Sequence, residues 1–191
     1  MKLICCLALF VAFTALAAEV ETTEVTHGHY QGKGHGVFAV PMEKLVSVIT
    51  DYTNACQTSS CHYNVPNVEE TRIFPGESND QFYTWTKIKS VKSGSYFSQV
   101  RIERSSQEVT ITNSMVPEKL GKELSTKYNL PNQPLMDTTV STWILSSSGE
   151  TTEAVIKIET TSSSFIITRF PAQVLKNLKE TIEALLANLT K

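Results

Sequence analysis

The strongest constraint on this chain is its closing segment. Val174, Leu175, Leu178, Ile182, Leu185, Leu186 and Leu189 recur at three- and four-residue steps, while Lys176, Lys179 and Glu180 fall off that stripe. Such spacing puts the apolar side chains on one face of an α-helix. Pro171 suits the first helical position, where its missing N–H has no intrahelical partner to lose. A helix with so wide an apolar face has to bury it. The rest of the chain offers one surface large enough, the apolar side of a run of β-strands.

Those strands are read between Val68 and Thr161 as an antiparallel meander. Val68 to Phe74 is the first, followed by a turn over Pro75-Gly76-Glu77-Ser78-Asn79-Asp80. Gln81 to Lys89, Ser95 to Arg104 and Glu108 to Val116 come next. In the last of these Val109, Ile111 and Met115 share a side, and Thr110, Thr112 and Ser114 face the other way. Pro117 to Pro134 interrupts the meander, with a short helix expected at Glu118 to Tyr128. A connection of that length inside one domain is usually functional, and a lid or mouth is the expected role. Asp137 to Ser146 and Thr151 to Thr161 complete the set, joined through Ser147-Ser148-Gly149-Glu150.

Upstream, Gly28, Gly32, Gly34 and Gly36 occupy even positions, so on a strand they share one face of bare backbone that a helix or a curved sheet can approach closely. The odd positions carry His27, His29, Lys33 and His35. His35 would lie about 20 Å from His29 along an extended strand, too far for both to ligate one ion, so a solvated polar face is expected there. Val37-Phe38-Ala39-Val40 ends this strand. Pro41 opens a helix of about three turns whose apolar set is Leu45, Val48, Ile49 and Tyr52, with Glu43 near its positive end. The helix is expected to stop near Asn54.

The first residues read as an export signal. Lys2 precedes the apolar run Leu3 to Leu16, and Ala15-Leu16-Ala17 places small residues at the cleavage-reading positions, so residues 1–17 are expected to be removed and the protein to be periplasmic or secreted. Glu19 and Glu21 end the run short of the roughly 20 apolar residues a membrane-spanning helix needs. Cys5 and Cys6 precede the apolar run, whereas a lipid-accepting cysteine would follow it. Glu19 to Thr26, being polar, is expected to form part of a flexible N-terminus covering residues 18–26, with one domain spanning residues 27–190. The two cysteines beyond the signal, Cys56 and Cys61, are expected to pair as a local disulfide; a redox pair usually has two intervening residues, and a metal site needs further ligands. The formal net charge is −2, and loss of Lys2 takes it one unit further negative. No basic cluster resembles a nucleic-acid stripe, so nucleic acid is not an expected partner.

The segment from Val37 through Pro41, Glu43, Leu45 and Ile49 to Asp51-Tyr52 resembles the strand, Pro-x-Glu, apolar helix and terminal Asp-Tyr pattern of START-like domains. These belong to the larger SRPBCC superfamily, which also holds polyketide cyclases and coenzyme-Q-binding proteins. Pro66-Asn67-Val68 through Ile73 is similar to the Pro-x-Val opening of that family's second strand, and Arg169-Phe170-Pro171 to the approach to its last helix. The resemblance runs from about Thr26 to Leu189. The Arg-Asp pair often found early in the strand after the family's central turn is absent, and Gly94-Ser95-Tyr96-Phe97 stands there. The resemblance implies an α+β helix-grip fold: a curved antiparallel sheet wrapped around a long C-terminal α-helix, with a short helix after the first strand. It also implies a cavity between sheet and helix suited to a lipid, sterol, quinone or polyketide.

Strand and helix periods nominate Val100, Ile102, Ile111, Met115, Trp143, Ile156 and Ile158 from the sheet, and Val174, Leu178 and Ile182 from the helix, as cavity lining. Core and pocket share this composition, so a filled core reads equally well from any one of these residues. The leading functional expectation is non-enzymatic carriage of a hydrophobic small molecule, with no cofactor or metal and with transient membrane contact. One alternative is a cyclase- or hydrolase-like enzyme using Glu70, Arg101, Glu103 or Asp137, although no nucleophile–base set or close carboxylate pair is legible. The other is an envelope protein-interaction domain with a full core.

Overall fold

The computed structural model describes residues 19–52, 55–56, 63–89 and 93–190. Its main element is one eight-stranded antiparallel sheet. In chain order the elements are β1 (Glu19–Thr26), β2 (His29–Phe38), α1 (Met42–Ile49), β3 (Ala55–Cys56), β4 (Tyr63–Asn64), β5 (Val68–Ser78), β6 (Gln81–Lys89), β7 (Ser93–Arg104), β8 (Glu108–Met115), α2 (Glu118–Tyr128), β9 (Thr138–Ser148), β10 (Thr151–Thr161), α3 (Phe165–Thr168) and α4 (Pro171–Asn188). The sheet order is β1-β2-β10-β9-β8-β7-β6-β5. Neighbouring strands are consecutive in the chain except β2, which pairs with β10; β8 and β9 are joined through α2 and the others by short connections. β3 and β4 form a separate parallel pair.

Registers fix which side chains share a face. Phe38 opposes Thr152, Gly34 opposes Ile156 and Gly32 opposes Ile158. Ile156 opposes Trp143, Trp143 opposes Ile111, and Ile111 opposes Ile102. This concave face carries the larger core, in which Tyr30, Val100, Ile111, Leu145, Ile156 and Ile182 are sealed from solvent. α1 adds Leu45, Val46 and Ile49 to it. α4 packs mainly on β2 and β1. The glycine face is what lets it in: a Cβ on Gly32 would stand 2.5 Å from Ile182 Cδ1, and one on Gly34 2.5 Å from Ile182 Cγ2. The close approach expected of bare backbone is therefore filled by the C-terminal helix, and the arrangement is a helix grip.

Several expectations are corrected. Glu19–Thr26 is an ordered edge strand, not part of a flexible N-terminus, paired with β2 from Glu19 opposite His35 to Thr26 opposite His29. Its Val20, Thr22 and Glu24 turn inward and are half-buried. Polarity suggested fraying, but the β-branched valines and threonines fit a pleated edge, and backbone pairing needs no apolar side chain. The turn expected over Pro75 to Asp80 shrinks to Asn79-Asp80; β5 continues to Ser78 through a register shift after Phe74 that absorbs Pro75. α1 is shorter than expected, ending at Ile49.

The interruption at 117–134 is not a lid over the concave side. Phe97 and Trp85, on the opposite face to Val100 and Thr84, form a second core with Val116 and with Leu124 of α2, which therefore lies on the convex side of the sheet. Tyr128 stacks on Phe74 with ring centroids 4.0 Å apart. The return segment is tied to β7: Gln133 and Ser95 exchange backbone hydrogen bonds of 2.7 and 3.0 Å, and Trp85 Nε1–H donates to the Pro131 carbonyl at 2.8 Å. The signal segment 1–17 and Cys61 of the expected Cys56–Cys61 pair lie outside the described residues.

Candidate ligand-binding site

The histidines face outward and stand apart. His29 Nε2 lies 2.7 Å from Glu159 Oε1, and His35 Nε2 lies 3.0 Å from Glu153 Oε1, so each cross-strand pair is separate on the β2–β10 surface. Among the described residues no group of three His, Cys, Asp or Glu side chains is placed to hold a metal ion. A recess of about 690 Å³ opens on the convex face among Glu21, Gln31, Lys33, Lys157 and Glu159. Its charged rim and open shape do not suit an apolar molecule, whose binding depends on removal from water.

On the concave side, Val100, Ile111, Trp143, Ile156, Ile158, Leu178 and Ile182 all belong to the main buried cluster. Ile102 and Val174 pack against it half-buried. Met115, at the end of β8 opposite Ser98, is half-buried outside it. The nominated residues are thus brought to one side of the sheet, but they divide into two zones. Where α4 crosses β2 and β1 the packing is closed. Towards β6, β7 and the far end of β8 the same face presents half-buried Phe82, Ile102, Asn113 and Met115.

Tyr52 roofs this second zone. It follows α1, its backbone carbonyl accepts a hydrogen bond from the Thr71 hydroxyl, and its ring meets Phe82 edge-on at 6.2 Å. Asn113 Nδ2 donates to the Tyr52 phenol oxygen at 3.1 Å. Burial pushes that phenol up to about 12 from its ordinary 10.0, outweighing the Asn113 hydrogen bond, which favours the ionised form. Burial also raises the phenol of Tyr96, which is hydrogen-bonded with Thr86. Thr84, Thr86 and Ser98 are buried between them, with Thr84 opposite Ser98 and Thr86 opposite Tyr96.

A pH dependence follows. The unfolded chain loses the Tyr52 proton near its ordinary value and the folded chain only near the raised one, so this contribution to stability is complete below pH 10.0 and is lost as pH rises towards about 12. The loss should approach roughly 1.4 kcal/mol per pH unit across that window. Denaturant unfolding at successive pH values should show the Tyr52→Phe variant losing stability less steeply; identical slopes would assign the titration to another group.

The polar residues nominated for acid–base chemistry are elsewhere. Glu70 pairs with Arg72 at 2.6 Å on exposed surface, and Arg101 and Glu103 are exposed on the convex face. Asp137 Oδ2 accepts the Ser163 backbone N–H at 2.6 Å, tying the end of β10 to the start of β9. They converge on no common point. Tyr52, Phe82, Thr84, Ser98 and Asn113 were not nominated as a site. Strand parity alone could have placed Phe82 and Thr84 beside Val100, but only the β6–β7 register joins them.

An eight-stranded antiparallel grip around a C-terminal helix is the START-like architecture, and solved structures of that class superimpose on this chain. A STAR-related lipid transfer protein fragment from Xanthomonas axonopodis matches with a TM-score of 0.58 at 11% identity, covering 89% of this chain and 98% of the other. The human StarD13 lipid transfer and protein localization domain matches with a TM-score of 0.61 at 6% identity, covering 93% and 88%. The di-domain ARO/CYC StfQ of the steffimycin biosynthetic pathway matches at 0.53 and 6%, with this chain covered over 85% and the other over 49%. At these identities the likeness establishes the START-like fold. No protein-family model and no curated protein matches the sequence.

Proposed function

We propose that this domain binds a hydrophobic small molecule of the lipid, sterol, quinone or polyketide kind on its concave face, without catalysing a reaction, and that it does so outside the cytoplasm. The observation that carries this reading is the uneven filling of the grip. α4 packs mainly on β2 and β1, while Phe82, Ile102 and Met115 on the facing half of the same surface stay half-buried beside sealed Val100 and Ile111. Apolar surface left inside a curved sheet gains roughly 25 cal/mol per Å² when a ligand removes it from water, before the costs of association. The lipid transfer domains among the similar folds agree with this reading. The cyclase alternative has the StfQ likeness in its favour but lacks a convergent acid–base set among the described residues.

The test is lipid uptake. Purified protein is incubated with vesicles made from a total lipid extract, recovered by size exclusion and weighed by native mass spectrometry. One small-molecule adduct per chain is expected. Protein recovered at its bare mass would overturn the binding role and favour an interaction domain with a filled core.

A further inference from the structure

The second zone of the concave face is polar in an uncommon way. Thr84, on β6, is wholly buried, and its hydroxyl oxygen has no hydrogen-bond partner among the described residues. A sealed hydroxyl without a partner costs free energy, and proteins seldom leave one unless something else comes to meet it. Its cross-strand neighbour is Ser98, also buried, and Ser98 in turn opposes Met115. Two residue pairs along β6 and β7, Thr86 faces the Tyr96 phenol; two pairs the other way, Asn113 opposes Val100 and holds the Tyr52 hydroxyl. Hydroxyls, a carboxamide and phenols thus share one side of the sheet, in adjoining rows with Phe82, Val100 and Met115.

The side chains that meet there are all neutral at physiological pH, and burial holds the two phenols protonated. A carboxylate or phosphate seated among them would be buried without a counter-charge, which is far more costly than burying a hydroxyl that finds a partner. A purely apolar group would leave the Thr84 hydroxyl as orphaned as before.

We infer that Thr84, Ser98 and Asn113 form a neutral polar subsite within the grip, which takes the hydroxyl or carbonyl end of an otherwise apolar ligand. The inference rests on the binding role proposed above and narrows its ligand: a neutral amphiphile with one small polar end is accepted, and an anionic or zwitterionic head is refused.

The experiment compares dodecanol, dodecanoate and dodecane, each titrated into the full protein and followed by native mass spectrometry. Dodecanol is expected to bind at least about tenfold more tightly than dodecanoate. The isosteric Thr84→Val change and, separately, Ser98→Ala should each reduce the preference for dodecanol over dodecane by about five- to tenfold, the range one hydrogen bond in a buried site supplies. Without any probe, Thr84→Val should unfold at the same temperature as the parent or higher, because it removes an unsatisfied group; a merely structural threonine would move the other way. Equal binding of dodecanol and dodecanoate overturns the neutral subsite while keeping the binding role. Unchanged preference in both variants, or a less stable Thr84→Val protein, overturns the assignment of these residues. Failure of all three probes to bind overturns the binding role itself.

Discussion

Replacing Gly34 by valine is expected to lower the free energy of unfolding by about 3 kcal/mol, the upper end of what overpacking a core costs. The first added carbon would already stand 2.5 Å from Ile182 Cγ2, 2.8 Å from Leu186 Cδ1 and 3.1 Å from Ile156 Cγ2, and valine adds two methyls beyond it. None of these neighbours is free to move, since Ile182, Leu186 and Ile156 are each no more than 1% exposed. Relief therefore requires α4 to lift from β2, which uncovers the larger core. For a chain of this size the melting temperature should fall by roughly 10 °C. Ile182→Ala, destabilising by itself, should cost less in the Gly34→Val background because it vacates the contested space, a coupling that a double-mutant cycle reads directly. A valine variant within 1 kcal/mol of the parent, with no coupling to position 182, would mean that the helix does not sit on the glycine face.

Phe97→Ala should cost about 3–5 kcal/mol, as truncation of a fully buried aromatic residue usually does. Its ring is wholly buried on the convex side, 6.1 Å from Phe74 and 6.4 Å from Tyr128, centroid to centroid. The loss should be directional. Amide exchange should accelerate through α2, whose Leu120, Leu124 and Tyr128 pack in this second core, while the α4 amides should change least. Were 117–134 a lid over the concave mouth, the same substitution would disturb ligand uptake before stability and leave α2 exchange largely as it was.

These two experiments separate what could be read from pattern and what could not. α4 was legible because a 3.6-residue period over four turns admits few other readings, and Pro171 marks its start. β6 and β10 match their expected limits, Gln81–Lys89 and Thr151–Thr161, because turn residues bracket them. The glycine face was legible as a place of close approach, since Gly32, Gly34 and Gly36 in step on β2 leave room that something must fill; Gly28, expected on the same strand, lies instead in the turn before it at a φ of 76°. β1 was not, because an edge strand can be held by its backbone while its side chains stay polar. β5 ran past Pro75 because a register shift let the strand step over a residue that cannot donate.

The candidate site was legible only in part. Val100, Ile111, Trp143 and Ile156 follow from alternation, and the structure does gather them, but alternation says nothing about which half of the face a helix will cover. Thr84 and Ser98 read as ordinary strand polars until the β6–β7 register sets one opposite the other inside the grip. Tyr52 read as one more apolar residue on α1. Its phenol reaches Asn113, 61 positions along the chain.

Local spacing thus determined the longer elements from β2 to α4, their order and the need for the last helix to be gripped, because helix and strand periods are properties of neighbouring residues. The face each insertion would take, the half of the concave side that α4 covers, and the burial of Thr84 and Ser98 in the other half were decided by tertiary structure. Those depend on registers between strands far apart in the chain, and a one-residue change in any of them would have turned the same side chains to the opposite face.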